Sequence, residues 1–162
     1  MIIRPTELRW ADCCILVPME DWLVFSSRRF ALQFRYPAQG TDGEPVERVE
    51  TEEEGMLRVH VLSPNSREVY FEVTRYDALS ADAEYQRHND SLSRQFDPLT
   101  VSDLTATPFG SLPAYQYAFE WDQGRRGVFL VERGNSTYRI LYNPRFAINS
   151  QILSTVQWIN DR

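Results

Sequence analysis

Residues 112–143 constrain this chain more than any other stretch, because they read as three consecutive strands joined by two tight turns. Side chains alternate along a strand, so over residues 114–121 Tyr115, Tyr117, Phe119 and Trp121 share one face. Ala114, Gln116, Ala118 and Glu120 take the other. The connection Asp122-Gln-Gly-Arg-Arg-Gly127 leads to a second strand over 128–133 and puts Arg125 and Arg126 at an exposed hairpin tip. Gly134-Asn135 then turns the chain into a third strand over 137–142. Four aromatics in one row can line a ligand groove or form core, and core is the preferred reading because amphipathic helices elsewhere need a surface to cover.

The same alternation recurs upstream. Residues 29–36 place Phe30, Leu32, Phe34 and Tyr36 on one face, and Pro37 ends the strand. Residues 56–62 set Leu57, Val59 and Val61 against Arg58 and His60; after a turn at 63–66, residues 68–76 set Val69, Phe71 and Val73 against Tyr70, Glu72 and Thr74. Those two strands predict an antiparallel hairpin. A helix is expected over 80–96, with Ser80 as N-cap, Asp82 and Glu84 at the positive end of its dipole, and Ala81, Tyr85, His88, Leu92 and Phe96 as its apolar stripe. A short strand follows over 100–107. A second amphipathic helix is expected over 147–160, with Ile148, Ile152, Val156 and Ile159 on its stripe. Residues 1–27 form an N-terminal extension: either a helix starting at Thr6, or a hairpin pairing 13–17 with 22–25, which Pro18 favours by breaking any continuous helix. The order of elements predicts an α+β fold, a central antiparallel sheet with two main amphipathic helices, in a single domain over 1–162.

Composition narrows the function. Seventeen basic residues stand against twenty-three acidic ones, a net charge of −6, which argues against nucleic acid as a partner. All the basic residues are arginine, which excludes Schiff-base lysine chemistry and a P-loop lysine. Residues 39–55 hold Asp42, Glu44, Glu47, Glu50, Glu52, Glu53 and Glu54 against Arg48, so this segment alone accounts for the net charge. It reads as a solvated loop or a polar edge strand through Val46 and Val49; the sharper alternative is a cation site or a surface for a basic partner. Asp42-Gly43-Glu44 lacks the ligand spacing of a calcium loop. Cys13 and Cys14 are adjacent, a geometry that disfavours a mutual disulfide, so they read as reduced thiols. With no signal-peptide pattern and no run long enough to span a membrane, the expected location is cytoplasmic, without membrane insertion.

No catalytic, cofactor-binding or metal-ligating constellation stands out. His60 reads as a surface histidine and His88 as a stripe residue; neither has carboxylates or histidines at ligand spacing. Cys13 and Cys14 lie in an apolar run where burial silences a thiol, and Gly110-Ser-Leu-Pro113 is no nucleophile elbow. The candidate partner surface is the side opposite the aromatic row: Gln116, Glu120, Thr137 and Arg139, with Arg125 and Arg126 at the tip.

Several short motifs resemble the PsbP-like family. Phe30-Ala-Leu-Gln-Phe-Arg-Tyr-Pro37 is similar to that family's opening aromatic strand, Gly110-Ser-Leu-Pro-Ala114 to its later strand entry, and Ile152-Leu-Ser-Thr155 to the centre of its closing helix. The resemblance covers residues 28–162. It implies an α/β/α sandwich around an antiparallel sheet and a role in binding and assembly without shared catalytic residues. Members of the family include photosystem extrinsic subunits, envelope lipoproteins, a Ran-binding nuclear-import factor and chaperones of secreted effectors. The expected function is therefore a non-enzymatic binding or assembly module recognising a partner protein. A small-molecule carrier with a pocket between sheet and helix is the alternative, and an enzyme of unknown class the third reading.

Overall fold

A computed structural model of the chain describes residues 16–160. In order, the elements are β1 (Leu23–Ser27), β2 (Leu32–Tyr36), β3 (Glu47–Glu53), β4 (Met56–Leu62), β5 (Tyr70–Asp77) and α1 (Ala81–Gln95). Then come β6 (Leu99–Val101), β7 (Thr105–Ala106), β8 (Ala114–Trp121), β9 (Gly124–Arg133), β10 (Ser136–Tyr142), α2 (Ala147–Ser154) and β11 (Gln157–Trp158). The α+β class, the large antiparallel sheet and the two helices are as the sequence predicts. Cys13, Cys14 and the alternative helix from Thr6 lie outside the described residues, as does most of the first arm of the expected hairpin. Among the described residues no helix is long and apolar enough to cross a membrane.

The chain forms two compact units. One comprises the residues up to Arg48, Val61–Phe71 and those from Asn143 onward. Its sheet has the order β1-β2-β11. β2 buries Leu32, Phe34 and Tyr36 as the alternation requires, and the Phe34 ring lies 5.1 Å from Phe25 and 5.0 Å from Phe71. The strand begins at Leu32, three residues later than expected, because residues 28–31 form a turn closed by the Ala31 N–H on the Arg28 carbonyl (3.1 Å). α2 packs on β2 with Ile148 and Ile152 buried. Asn149, fully buried, offsets its own desolvation, a cost of about 1–3 kcal/mol when unmet, with three bonds of 2.9 Å. Its amide donates to the carbonyls of Glu68 and Asn143, and its oxygen accepts the Tyr70 N–H. The helix expected over 147–160 stops at Ser154. Thr155 donates its hydroxyl to the Ile152 carbonyl (2.6 Å) and accepts the Arg35 N–H (2.8 Å), which diverts the chain to pair β11 with β2.

The other unit comprises Val49–His60 and Glu72–Tyr142 and holds α1 and most of a sheet ordered β3-β4-β5-β10-β9-β8-β6, with β7 also pairing β8. α1 starts where predicted: Ser80 Oγ accepts the Ala83 N–H at 3.2 Å. Its buried stripe is Ala81, Glu84, His88 and Leu92, so Glu84 takes the inward place expected for Tyr85. Tyr85 is half-buried and donates its hydroxyl to the Ser102 carbonyl (2.9 Å). Ser102 interrupts the strand expected over 100–107. Its Oγ accepts the Ala118 N–H (2.8 Å) and its own N–H reaches the Ala118 carbonyl (2.9 Å), leaving the short β6 and β7 on either side. The acidic segment contributes β3, an edge strand exposed at all positions but Thr51; charged side chains on an edge deter indiscriminate strand pairing.

Candidate functional site: the two faces of the β8–β10 hairpins

β9 starts at Gly124, so the β8–β9 turn is only Asp122-Gln123, and Arg125 and Arg126 belong to the strand instead of a hairpin tip. The register pairs Glu120 with Arg125 and Phe119 with Arg126. Paired residues share a face, so Arg126 joins the aromatic row, with its guanidinium carbon 5.1 Å from the Trp121 ring centre. Arg125 stays with Glu120 on the opposite face. β10 continues the count: Leu130 pairs with both Tyr115 and Arg139, and Glu132 with Thr137. Arg139 and Thr137 therefore lie on the aromatic face, under α1, and both are buried. The expectation that they share a surface with Gln116 and Glu120 is corrected by this register, and burial likewise removes Arg126 from that surface. Of the six residues, Gln116, Glu120 and Arg125 remain together on the outer face, half-buried, exposed and exposed respectively.

The covered face is built around Arg139. Its Nη1 donates to Glu84 Oε1 at 3.0 Å and its Nη2 to Glu72 Oε1 at 3.4 Å. Glu84, fully buried on α1, is also gripped by Arg87 through Nε (2.8 Å) and Nη2 (2.7 Å). Glu72 Oε1 accepts in addition from Arg58 Nε at 3.2 Å and from the Thr74 hydroxyl at 3.2 Å. The Tyr76 ring stacks beneath two cations, with the guanidinium carbons of Arg87 and Arg139 4.5 and 5.7 Å from its centre. Thr137 donates its hydroxyl to the Leu79 carbonyl just ahead of α1. Burial works against the charge on Arg139, but its electrostatic interactions with Tyr76, Glu72 and Glu84 more than offset that and raise the pKa of the guanidinium above its ordinary value, so it is a permanent cation.

His88 lies on the same face, bonded through Nδ1 to the Tyr117 hydroxyl. Burial, reinforced by the positive charge of Arg139 and Arg87, lowers its pKa from 6.5 to about 3. Burial raises that of Tyr117. A neutral imidazole bonded to a phenol that resists ionisation offers no proton shuttle near neutrality. His60, expected at the surface, is half-buried, and desolvation lowers its pKa against the opposing pull of Glu72. Among the described residues no group of three or more His, Cys, Asp or Glu side chains could hold a metal ion.

The outer face is of another kind. Phe129 stacks on Tyr142 (centroids 6.1 Å apart, planes 17° apart) and meets Phe109 edge-on at 5.5 Å. Phe109 and Phe129 are half-buried. The Tyr142 ring lies over Gly127, where a Cβ would come within 2.6 Å of it. Gln116 hydrogen-bonds the Tyr142 hydroxyl, and Arg125 adds its positive field; both oppose the upward shift that burial imposes on the phenol. The loop carrying Phe109 also borders an open depression of about 320 Å³ that includes Pro108, Leu112 and Tyr115.

Sequence reasoning missed Glu84, Glu72, Arg58 and Tyr76 as a network. One signal was present: Glu84 lies three residues after Ala81 and four before His88, squarely on the stripe.

No protein-family model matches the sequence, and no curated protein is similar to it. Solved structures are. The solution structure of cyanobacterial PsbP (CyanoP) from Synechocystis sp. PCC 6803 superposes with a TM-score of 0.62 at 8% identity, over 88% of this chain and 95% of that one. A crystal structure from Bacteroides thetaiotaomicron VPI-5482 gives 0.50 at 12% identity, over 85% of this chain, which spans about half (48%) of that protein. At such identities the likeness is one of fold alone. The fold of this chain is PsbP-like.

Proposed function

We propose that the chain is a non-enzymatic binding or assembly module that recognises a partner protein through the outer face of β8 and β9. The observation that carries this reading is the half-buried pair Phe109 and Phe129, backed by the buried Tyr142 ring and edged by Gln116, Glu120 and Arg125. Aromatic side chains and arginine are the residues that supply most binding energy at protein interfaces, and a stack already ordered in the free chain spends little entropy on docking. The binding role implied by the PsbP-like resemblance points the same way. Affinity capture from lysate of the source cells tests it, comparing the wild-type chain with Phe129→Ser and Arg125→Glu variants of matched circular dichroism. A protein held by the wild type and lost with both variants is expected; retention of the same proteins by the variants would sink the reading.

A further inference from the structure

The ion pairs of the covered face form one alternating series, Arg58–Glu72–Arg139–Glu84–Arg87, with an arginine at each end and one more cation than anion. Its two carboxylates are held very differently. Glu84 uses both oxygens at 2.7–3.0 Å, the range of strong charge-assisted bonds. Glu72 meets Arg58, Thr74 and Arg139 with a single oxygen at 3.2, 3.2 and 3.4 Å, all long for such bonds. The donors around Glu72 are also incompletely used. The Arg139 Nε–H is buried and has no acceptor, although the side chain is only 10% exposed. Arg58 is 35% exposed, and beyond its Nε bonds the contact seen for its guanidinium is a weak one from Nη2 to Met56 Sδ at 3.7 Å. Two guanidinium forks and a hydroxyl, borne on β4, β5 and β10, thus converge on one loosely seated carboxylate, and Arg58 is the part-exposed member of the set.

We propose that Arg58, Thr74 and Arg139 form a binding site for a phosphate-sized oxyanion, and that Glu72 is its built-in competitor. The Glu72 carboxylate occupies the donors until its side chain rotates away and an external anion replaces it. A tetrahedral anion suits the site better than a second carboxylate, because it offers a separate oxygen to each of three donors arriving from three strands. Guanidinium forks pair with phosphate in two parallel bonds. The site lies on the covered face and does not rest on the protein-binding reading of the outer face.

The competitor makes the proposal testable in two directions. Inorganic phosphate is titrated by calorimetry into the full chain as wild type, Glu72→Gln and Glu72→Gln/Arg58→Gln, at constant ionic strength. Glu72→Gln removes the competing charge at almost unchanged volume and should tighten phosphate binding about tenfold, and adding Arg58→Gln should abolish the gain. No phosphate binding by folded Glu72→Gln overturns the proposal, as does binding that survives Arg58→Gln. If Glu72→Gln does not fold, the melting temperature decides. A phosphate-dependent rise in the wild type that is lost in Arg58→Gln supports the site, and no rise in the wild type overturns it. Phenyl phosphate in place of inorganic phosphate separates the sources: tighter binding of the ester identifies an esterified phosphate as the ligand, and tighter binding of inorganic phosphate identifies the free anion.

Discussion

The two faces of the β8–β10 sheet bury different things: the outer one closes over apolar Val131, Tyr138 and Ile140, whereas the one under α1 takes in charge beside its aromatics. The face under α1 buries Arg139, Glu72, Glu84, His88 and Thr137, while the outer face leaves Phe109 and Phe129 half in water. What separates them is the supply of partners. A buried charge is tolerable where opposite charges and hydrogen bonds surround it, and on the covered face each carboxylate finds at least one arginine. On the outer face ring stacking, the Arg75 guanidinium 5.9 Å from the Tyr138 ring centre and one phenol–amide bond hold the aromatics, and Phe109 and Phe129 stay half-buried. The first face ties α1 to the sheet through ion pairs, and the second leaves Phe109 and Phe129 only half covered.

The sharpest way to break that distinction is to remove the central cation. Arg139→Met leaves Glu84 buried with Arg87 as its remaining ion-pair partner, and should lower the unfolding free energy measured in urea by about 3–5 kcal/mol. Adding Glu84→Gln should recover more than half of that loss, because the cost lies in the stranded carboxylate and not in lost packing. A neutral result for Arg139→Met alone would mean that the ion pairs do not hold α1 to the sheet.

A smaller effect probes the outer face. In Gly127→Ala the new methyl would lie 2.6 Å from Tyr142 Cζ and 2.8 Å from Cε1, so the ring must move off the strand. Overpacking of this kind should cost about 1–3 kcal/mol, with a change in the near-ultraviolet circular dichroism of the stack and weaker capture of a partner. An unchanged spectrum would show that the ring has room to shift and that the stack is not a fixed platform.

These two faces also mark how far the sequence could be read. Alternation and turn chemistry located β4, β8 and the β9–β10 turn at Gly134-Asn135, and Ser80 located the start of α1, because each is specified by local residues. The face on which Arg139 and Thr137 lie depended on the register between strands. Reading Gly124–Gly127 as loop instead of strand gave no register for carrying the aromatic face across to β10. Glu84 was passed over for Tyr85 because hydrophobicity weighs against a buried glutamate, and the arginines that make it tolerable come from β10 and from α1's own next turn. The early end of α2 was illegible for a similar reason: residues 156–159 keep an apolar helical spacing, yet their backbone is claimed by β2, 120 positions away along the chain at the Thr155–Arg35 contact.

The smallest expected effect comes from pH and again divides the faces. His88 titrates near 6.5 when unfolded and near 3 when folded, so between those values the unfolded chain binds the extra proton. The stability that depends on neutral His88 is therefore complete above about pH 7 and is lost progressively as pH falls from 6.5 toward 3. Lowering the pH from 7 to 5.5 should cost about 1 kcal/mol from this group, read as a drop in melting temperature. His60, also shifted downward by burial, adds a change of the same sign. His88→Gln can still bond the Tyr117 hydroxyl, and should flatten most of the pH slope while lowering stability at pH 7 only modestly. Because both histidines lie on the covered face, partner capture through the outer face should keep its wild-type strength at pH 7 in His88→Gln. A variant that lost capture there while remaining folded would show that the two faces are coupled, and the division of labour drawn from their chemistry would fail.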